Sequence, residues 1–111
     1  MAVRLLAEDA LILVDVQLDF LPGGSLAVPH GDEVVPALNR YIAVFRRLTL
    51  PVVATRDWHP PDHCSFRAQG GPWPPHCVAG SDGARFAPLL DLPCEARIVS
   101  KATARDRDAY S

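Results

Sequence analysis

The sequence predicts an α/β domain built on a parallel sheet, and three observations carry that expectation. Residues 10–16, Ala-Leu-Ile-Leu-Val-Asp-Val, form a continuous apolar run of strand length. Such a run fits a strand covered on both faces. From Asp32 to Leu48, Val34, Val35, Leu38, Ile42, Phe45 and Leu48 recur at helical spacing, and a second short run, Val52-Val53-Ala54-Thr55, follows closely. Strand, amphipathic helix and strand make a βαβ unit with two parallel strands and a right-handed crossover.

Each element has its own local reason. Asp15 is the odd member of the first run, a carboxylate at the end of an apolar strand, so it needs a partner if buried. Pro22-Gly23-Gly24 marks the loop that follows. Asp32 can cap the helix, Pro36 is tolerated near its first turn, and Arg46 and Arg47 suit the negative end of the helix dipole. Pro51 starts the second strand. Residues 84–90 have room for one or two helical turns, limited by Pro88. Ala96 to Ser100 reads as a third strand with Lys101 at its end, and the polar residues 102–111 carry no recognisable element. Asp15, Asp57 and Lys101 thus each fall at or just beyond the carboxyl end of a strand. In an open parallel sheet those ends form the ligand crevice.

The stretch from Arg56 to Cys77 holds three of the four histidines, both tryptophans and two of the three cysteines. Its five prolines and two glycines oppose a long helix or strand. A loop of this length in a small domain is usually functional or disordered, and its tryptophans and histidines speak against disorder. Asp57-x-His59, with His63 and His76, offers one carboxylate and up to three imidazoles, a donor set suited to zinc, iron or manganese. The competing reading is a proline-stiffened surface loop with solvated histidines.

Composition bounds the rest. The 111 residues have room for a single modest domain, residues 1–111, able to bury about two-thirds of its unfolded surface. An apolar fraction of 49% with a net charge of −2 describes a globular protein. Without basic clusters there is no support for nucleic-acid binding or membrane attachment. Three cysteines are too few and too irregular for a disulfide framework, which points to a reducing compartment. Glu8 and Asp9 interrupt the N-terminal apolar run, a poor signal peptide, so the expected location is cytoplasmic.

Taken together, Leu13-Val14-Asp15-Val16-Gln17-Leu18-Asp19-Phe20, Gly23-Gly24-Ser25-Leu26-Ala27-Val28, Ala54-Thr55-Arg56-Asp57-Trp58-His59, Trp73-Pro74-Pro75-His76-Cys77 and Lys101 resemble the nicotinamidase branch of the isochorismatase-like cysteine hydrolases. The resemblance runs from about residue 10 to 111. It implies the Rossmann-like isochorismatase fold and conversion of nicotinamide to nicotinate and ammonia through a cysteine thioester. It further implies that Asp15 is the base, with Lys101 against it, and that Asp57, His59 and His76 bind one divalent metal ion. His63 matches a fourth histidine that ligates in some members. The metal, zinc with iron or manganese as alternatives, would accept the pyridine nitrogen, while Phe20 and Trp73 match residues lining the ring pocket.

The chain departs from the family pattern in one respect. The family's nucleophilic cysteine lies downstream of the lysine in a segment absent here, and Cys64, Cys77 and Cys94 match no nucleophile. The expectation is therefore an N-terminal portion of such a domain, truncated after the third strand and inactive alone, with an exposed sheet edge that invites self-association. The alternatives are an isochorismatase-like hydrolase acting on another amide or ester, and a non-catalytic module with a zinc held by His63, Cys64, His76 and Cys77.

Overall fold

A computed structural model describes residues 3–109. The three strands form as the sequence predicts, with shifted ends: β1 is Leu11–Val14, β2 is Val52–Asp57 and β3 is Arg97–Lys101. All pair in parallel, in the order β1-β2-β3. β2 runs two residues further than its apolar run, so Asp57 ends the strand and is the register partner of Lys101.

Helix α1, Val34–Arg47, connects β1 to β2. Its buried residues, Val35, Ile42 and Phe45, form one stripe. This stripe packs with Leu13, Val52 and Ala54 of the sheet and with Val16, Leu21, Ala87 and Leu90 into a single core. Asp32 is not the N-cap. A 3₁₀ turn over Gly31–Glu33 leads directly into the helix with Glu33 at the cap, and no side chain makes a capping bond. At the other end Thr49 adopts φ 57°. Its amide donates to Arg46 O (3.0 Å) and the Leu50 amide to Phe45 O (2.8 Å), a Schellman closure that satisfies the last carbonyls.

Two further expectations need correcting. The helical turns expected over 84–90 do not form beyond Ala84, because the backbone bonds of the rest go elsewhere: the Leu18 amide donates to Arg85 O and the Ala87 amide to Val16 O, each at 2.9 Å. The adjacent turn, Asp82–Ala84, is 3₁₀. The apolar run of β1 is not covered on both faces either. Among the described residues α1 covers one face, while Ile12, Val14 and Val99 of the other remain 59%, 48% and 43% exposed. One helix can screen only one side of a sheet.

Candidate functional site

The site lies at the carboxyl rim of the sheet and begins where β1 stops. Asp15 has φ 55°, a left-handed conformation that turns the chain out of the ladder. Its amide still reaches Thr55 O (3.2 Å). Its carboxylate accepts from Thr55 Oγ1 (2.7 Å) and pairs with Lys101 Nζ (2.8 Å). The same ammonium donates to Asp57 Oδ1 at 2.6 Å. Lys101 therefore bridges two carboxylates, Asp57 at the end of the adjoining β2 and Asp15 just past the end of β1 beyond it. Burial opposes its charge, but the bonds to Asp15 and then Asp57 outweigh that and raise its pKa above the usual lysine value.

The long loop is folded against this rim by backbone pairing. The His59 amide donates to Cys77 O (2.9 Å) and the Ala79 amide to His59 O (2.8 Å), which draws His59 and His76 together. Gly70, at φ 89°, and Gly71, whose missing side chain makes room for the Ser65 carbonyl, reverse the chain between them. One ligand atom each from Asp57, His59 and His76 lie within 4.8 Å of one another, and all three residues are buried.

Hydrogen bonds assign the ring protons. His59 Nδ1 faces Ala102 O (3.0 Å) and His76 Nδ1 faces Pro74 O (2.8 Å). A carbonyl oxygen only accepts, so each Nδ1 donates and each Nε2 keeps its lone pair. This is how ligating histidines are usually oriented. His59 Nε2 is buried without a hydrogen-bond partner; the nearest carboxylate oxygen, Asp57 Oδ2, is 3.6 Å away, too far for one. A buried acceptor left unmatched is costly, and a cation between these three groups would satisfy it. The residues present thus fit a divalent metal ion. Burial works against charge on both Asp57 and His59, yet their mutual attraction, reinforced at Asp57 by Lys101, lowers the Asp57 pKa and raises that of His59; the pair favours positive charge at His59 Nε2, for which a proton and a metal ion compete.

His63 stands apart from this cluster. It stacks on His59 with ring centres 4.1 Å apart. Its Nε2 donates to Arg107 O (2.6 Å), and its Nδ1 is engaged by Ser65 Oγ (2.7 Å). With both nitrogens committed, it supports the loop and tethers the segment after β3 instead of supplying a fourth ligand. No thiol joins the cluster among the described residues, which removes the basis for a Cys₂His₂ zinc site. Cys77 is fully buried, and burial, followed by the charges of Asp57, Asp19 and Asp15, pushes its thiol far above the usual value. Cys94 is exposed, beside Glu95.

A cavity of about 210 Å³ opens beside the triad, and Asp15, Phe20, Asp57, Trp73, His76 and Lys101 are among its walls. The Phe20 ring lies 5.7 Å from that of His76. The structure therefore brings together all eight sequence-predicted site residues except His63, which backs the cavity from behind His59. Sequence reasoning missed Asp19. Its carboxylate accepts from the Cys77 amide (2.8 Å) and the Ser25 amide (3.2 Å), tying the Phe20 loop to the peptide that follows His76. The crowding of Asp15, Gln17 and Asp19 directly behind an apolar strand was the available signal.

Comparison with known proteins places this geometry. The chain is 40% identical to the nicotinamidase of Acinetobacter baylyi over 92% of its own length and 53% of the relative's. It is 49% identical to the nicotinamidase/pyrazinamidase of Mycobacterium tuberculosis over 74% of this chain and 45% of that one. Among solved structures it superposes on the pyrazinamidase of Pyrococcus horikoshii in complex with zinc with a TM-score of 0.88, at 55% identity over 92% of this chain and 56% of that one. A protein of L. infantum in complex with nicotinate gives 0.87, at 42% identity over 98% and 55%. The chain spans about half the length of these relatives. Residues 9–106 match the isochorismatase domain, and with a fold that superposes on nicotinamidases and pyrazinamidases over most of its length, this chain belongs to the isochorismatase family.

Proposed function

We propose that this chain carries the metal-binding and base-bearing part of a nicotinamidase site, where nicotinamide is converted to nicotinate and ammonia. The observation that carries the reading is convergence: the Asp57–His59–His76 cluster and the Asp15–Lys101 pair open onto one cavity. The zinc-bound and nicotinate-bound relatives support it. Zinc, with iron or manganese as alternatives, would be held by Asp57, His59 and His76; when bound, it supplies a Lewis acid that accepts the pyridine nitrogen. Phe20 and Trp73 provide aromatic walls for a flat ring. Asp15, placed by Thr55 and Lys101, takes the proton of an attacking thiol and later assists water in releasing the acid. Lys101 balances the two carboxylates.

The thiol is none of Cys64, Cys77 and Cys94. Cys77 is the one nearest the ligands in sequence, and its surroundings oppose thiolate formation. The three cysteines are free, which suits a reducing compartment such as the cytoplasm, and no helix among the described residues is long and apolar enough to cross a membrane. The test uses cobalt(II) as a visible probe in the 111-residue chain. Nicotinamide and nicotinate should perturb its spectrum, and benzamide, which lacks the ring nitrogen, should not. Equal responses to benzamide and nicotinamide would instead favour a hydrolase for other amides or esters. No ammonia release is expected from these 111 residues with nicotinamide and metal; release abolished by both Asp15→Ala and Cys77→Ala would overturn the assignment of the thiols.

A further inference from the structure

We propose that the side chain of Gln17 is a positioning residue for the metal centre, standing in for the backbone partner that β1 withdraws at Asp15. The inference rests on the metal reading above. In a parallel ladder every second residue of β2 turns its amide and carbonyl toward β1. Thr55 does so and receives the Asp15 amide (3.2 Å). Asp57 is next on that side, but Asp15 has already turned away at φ 55°. The carboxamide of Gln17 fills the gap: Oε1 accepts from the Asp57 amide (2.9 Å), and Nε2 donates to Asp57 O (2.8 Å). The second Nε2 hydrogen goes to Ala84 O (2.9 Å).

This arrangement has consequences for the ligand. Gln17 is fully buried, and both of its donors are used. Reversing the amide would set its hydrogens against an N–H and its oxygen against two carbonyls, so a single orientation survives. Its own backbone is held too, by a hydrogen bond from its amide N–H to Asp15 O (2.9 Å) and a bridge to Phe86. The clamp grips the peptide groups on both sides of the Asp57 Cα, and so sets the direction in which that carboxylate leaves the strand. It also lets Asp15 leave the ladder for Lys101 without orphaning Asp57. One side chain thereby coordinates the placement of the base and of a metal ligand.

The experiment follows cobalt(II) binding to the full 111-residue chain by visible absorption, with urea unfolding of the metal-free forms alongside. Gln17→Met keeps the volume and removes all three bonds. Gln17→Glu keeps the shape but faces two carbonyls with an acceptor, and it is the variant to use if the first fails to fold. Ile42→Ala, in the helix core, serves as a destabilised control remote from the site. Either Gln17 variant should lower cobalt affinity about 10- to 100-fold, as loss of an orienting partner does, and should alter the band shape at saturation. Ile42→Ala should lose stability and keep both. Wild-type affinity and spectrum in a folded Gln17 variant, or the same spectral change in Ile42→Ala, would overturn the proposal. A wild-type cobalt spectrum that His76→Ala leaves unchanged would remove the metal reading itself, and this inference with it.

Discussion

The two ends of the sheet make an instructive pair. At the amino end a cavity of about 530 Å³ opens among Ala10, Arg46, Leu50, Val53, Glu95 and Arg97. It is the roomier of the two, yet the ion pair on its wall, Arg46–Glu95 at 2.9 Å, has both side chains more than half exposed. Water already serves those charges. The carboxyl end has less than half that volume but gathers buried polar groups, two carboxylates sharing one ammonium and a histidine nitrogen without a hydrogen-bond partner. Cavity size is therefore a poor guide to chemistry in this fold. The cost of gathering unmatched polar groups marks the site instead.

The largest effects should appear where a ligand is removed. His76→Ala or Asp57→Asn should weaken zinc or cobalt binding by more than the roughly 100-fold that loss of a supporting partner can cost, as read by calorimetry. Glu95→Gln at the opposite end should leave it unchanged. Equal losses at both ends would break the contrast. Next comes Lys101→Met, which strands two carboxylates in a largely buried setting. A cost of about 3 kcal/mol in urea unfolding is expected, and one below about 1 kcal/mol would mean that water screens the rim as it does the amino end.

Acid sharpens the same point in the metal-stripped chain. The folded-state pKa of Asp57 is lowered, so its contribution is complete above the ordinary value of 3.8 and is lost as pH falls through the lower folded value. The raised pKa of Lys101 places its own loss above 10.5, as pH rises through the folded value. Between those limits the raised pKa of His59 adds one step to the urea midpoints, its contribution complete below 6.5 and lost as pH rises through the folded value, and Lys101→Met should bring the acid loss to higher pH. The thiols report the contrast kinetically. Cys94 should react with a disulfide reagent in the native state, whereas Cys77 should wait for unfolding. Fast native labelling of Cys77 would show the rim to be open. Smallest of all, Arg46→Ala should leave the urea midpoint close to that of the wild type, since its partner is exposed.

Sequence alone determined the βαβ plan, the approximate strands and the donor types at the rim, because apolar periodicity and residue chemistry are local properties. Asp15, Asp57, His59, His76 and Lys101 were legible for that reason. Tertiary structure decided how the donors are used. His63 has the same side chain as His59, yet the path of the segment after β3 puts the Arg107 carbonyl on its second nitrogen and leaves no lone pair for a metal. Lys101 was expected against one carboxylate and meets two, because β2 continues to Asp57 and the register sets that residue beside it. The expected Asp32 cap is displaced by a 3₁₀ lead-in, and the helical turns expected at 84–90 yield, after Ala84, to pairing with residues 16–18. The spacing of Gln17 and Asp19 behind the first apolar run marks them as unusual, but it does not say which distant groups they bind. A hydrogen bond that spans 40 residues, as from Gln17 to Asp57, exists only once the chain has closed on itself.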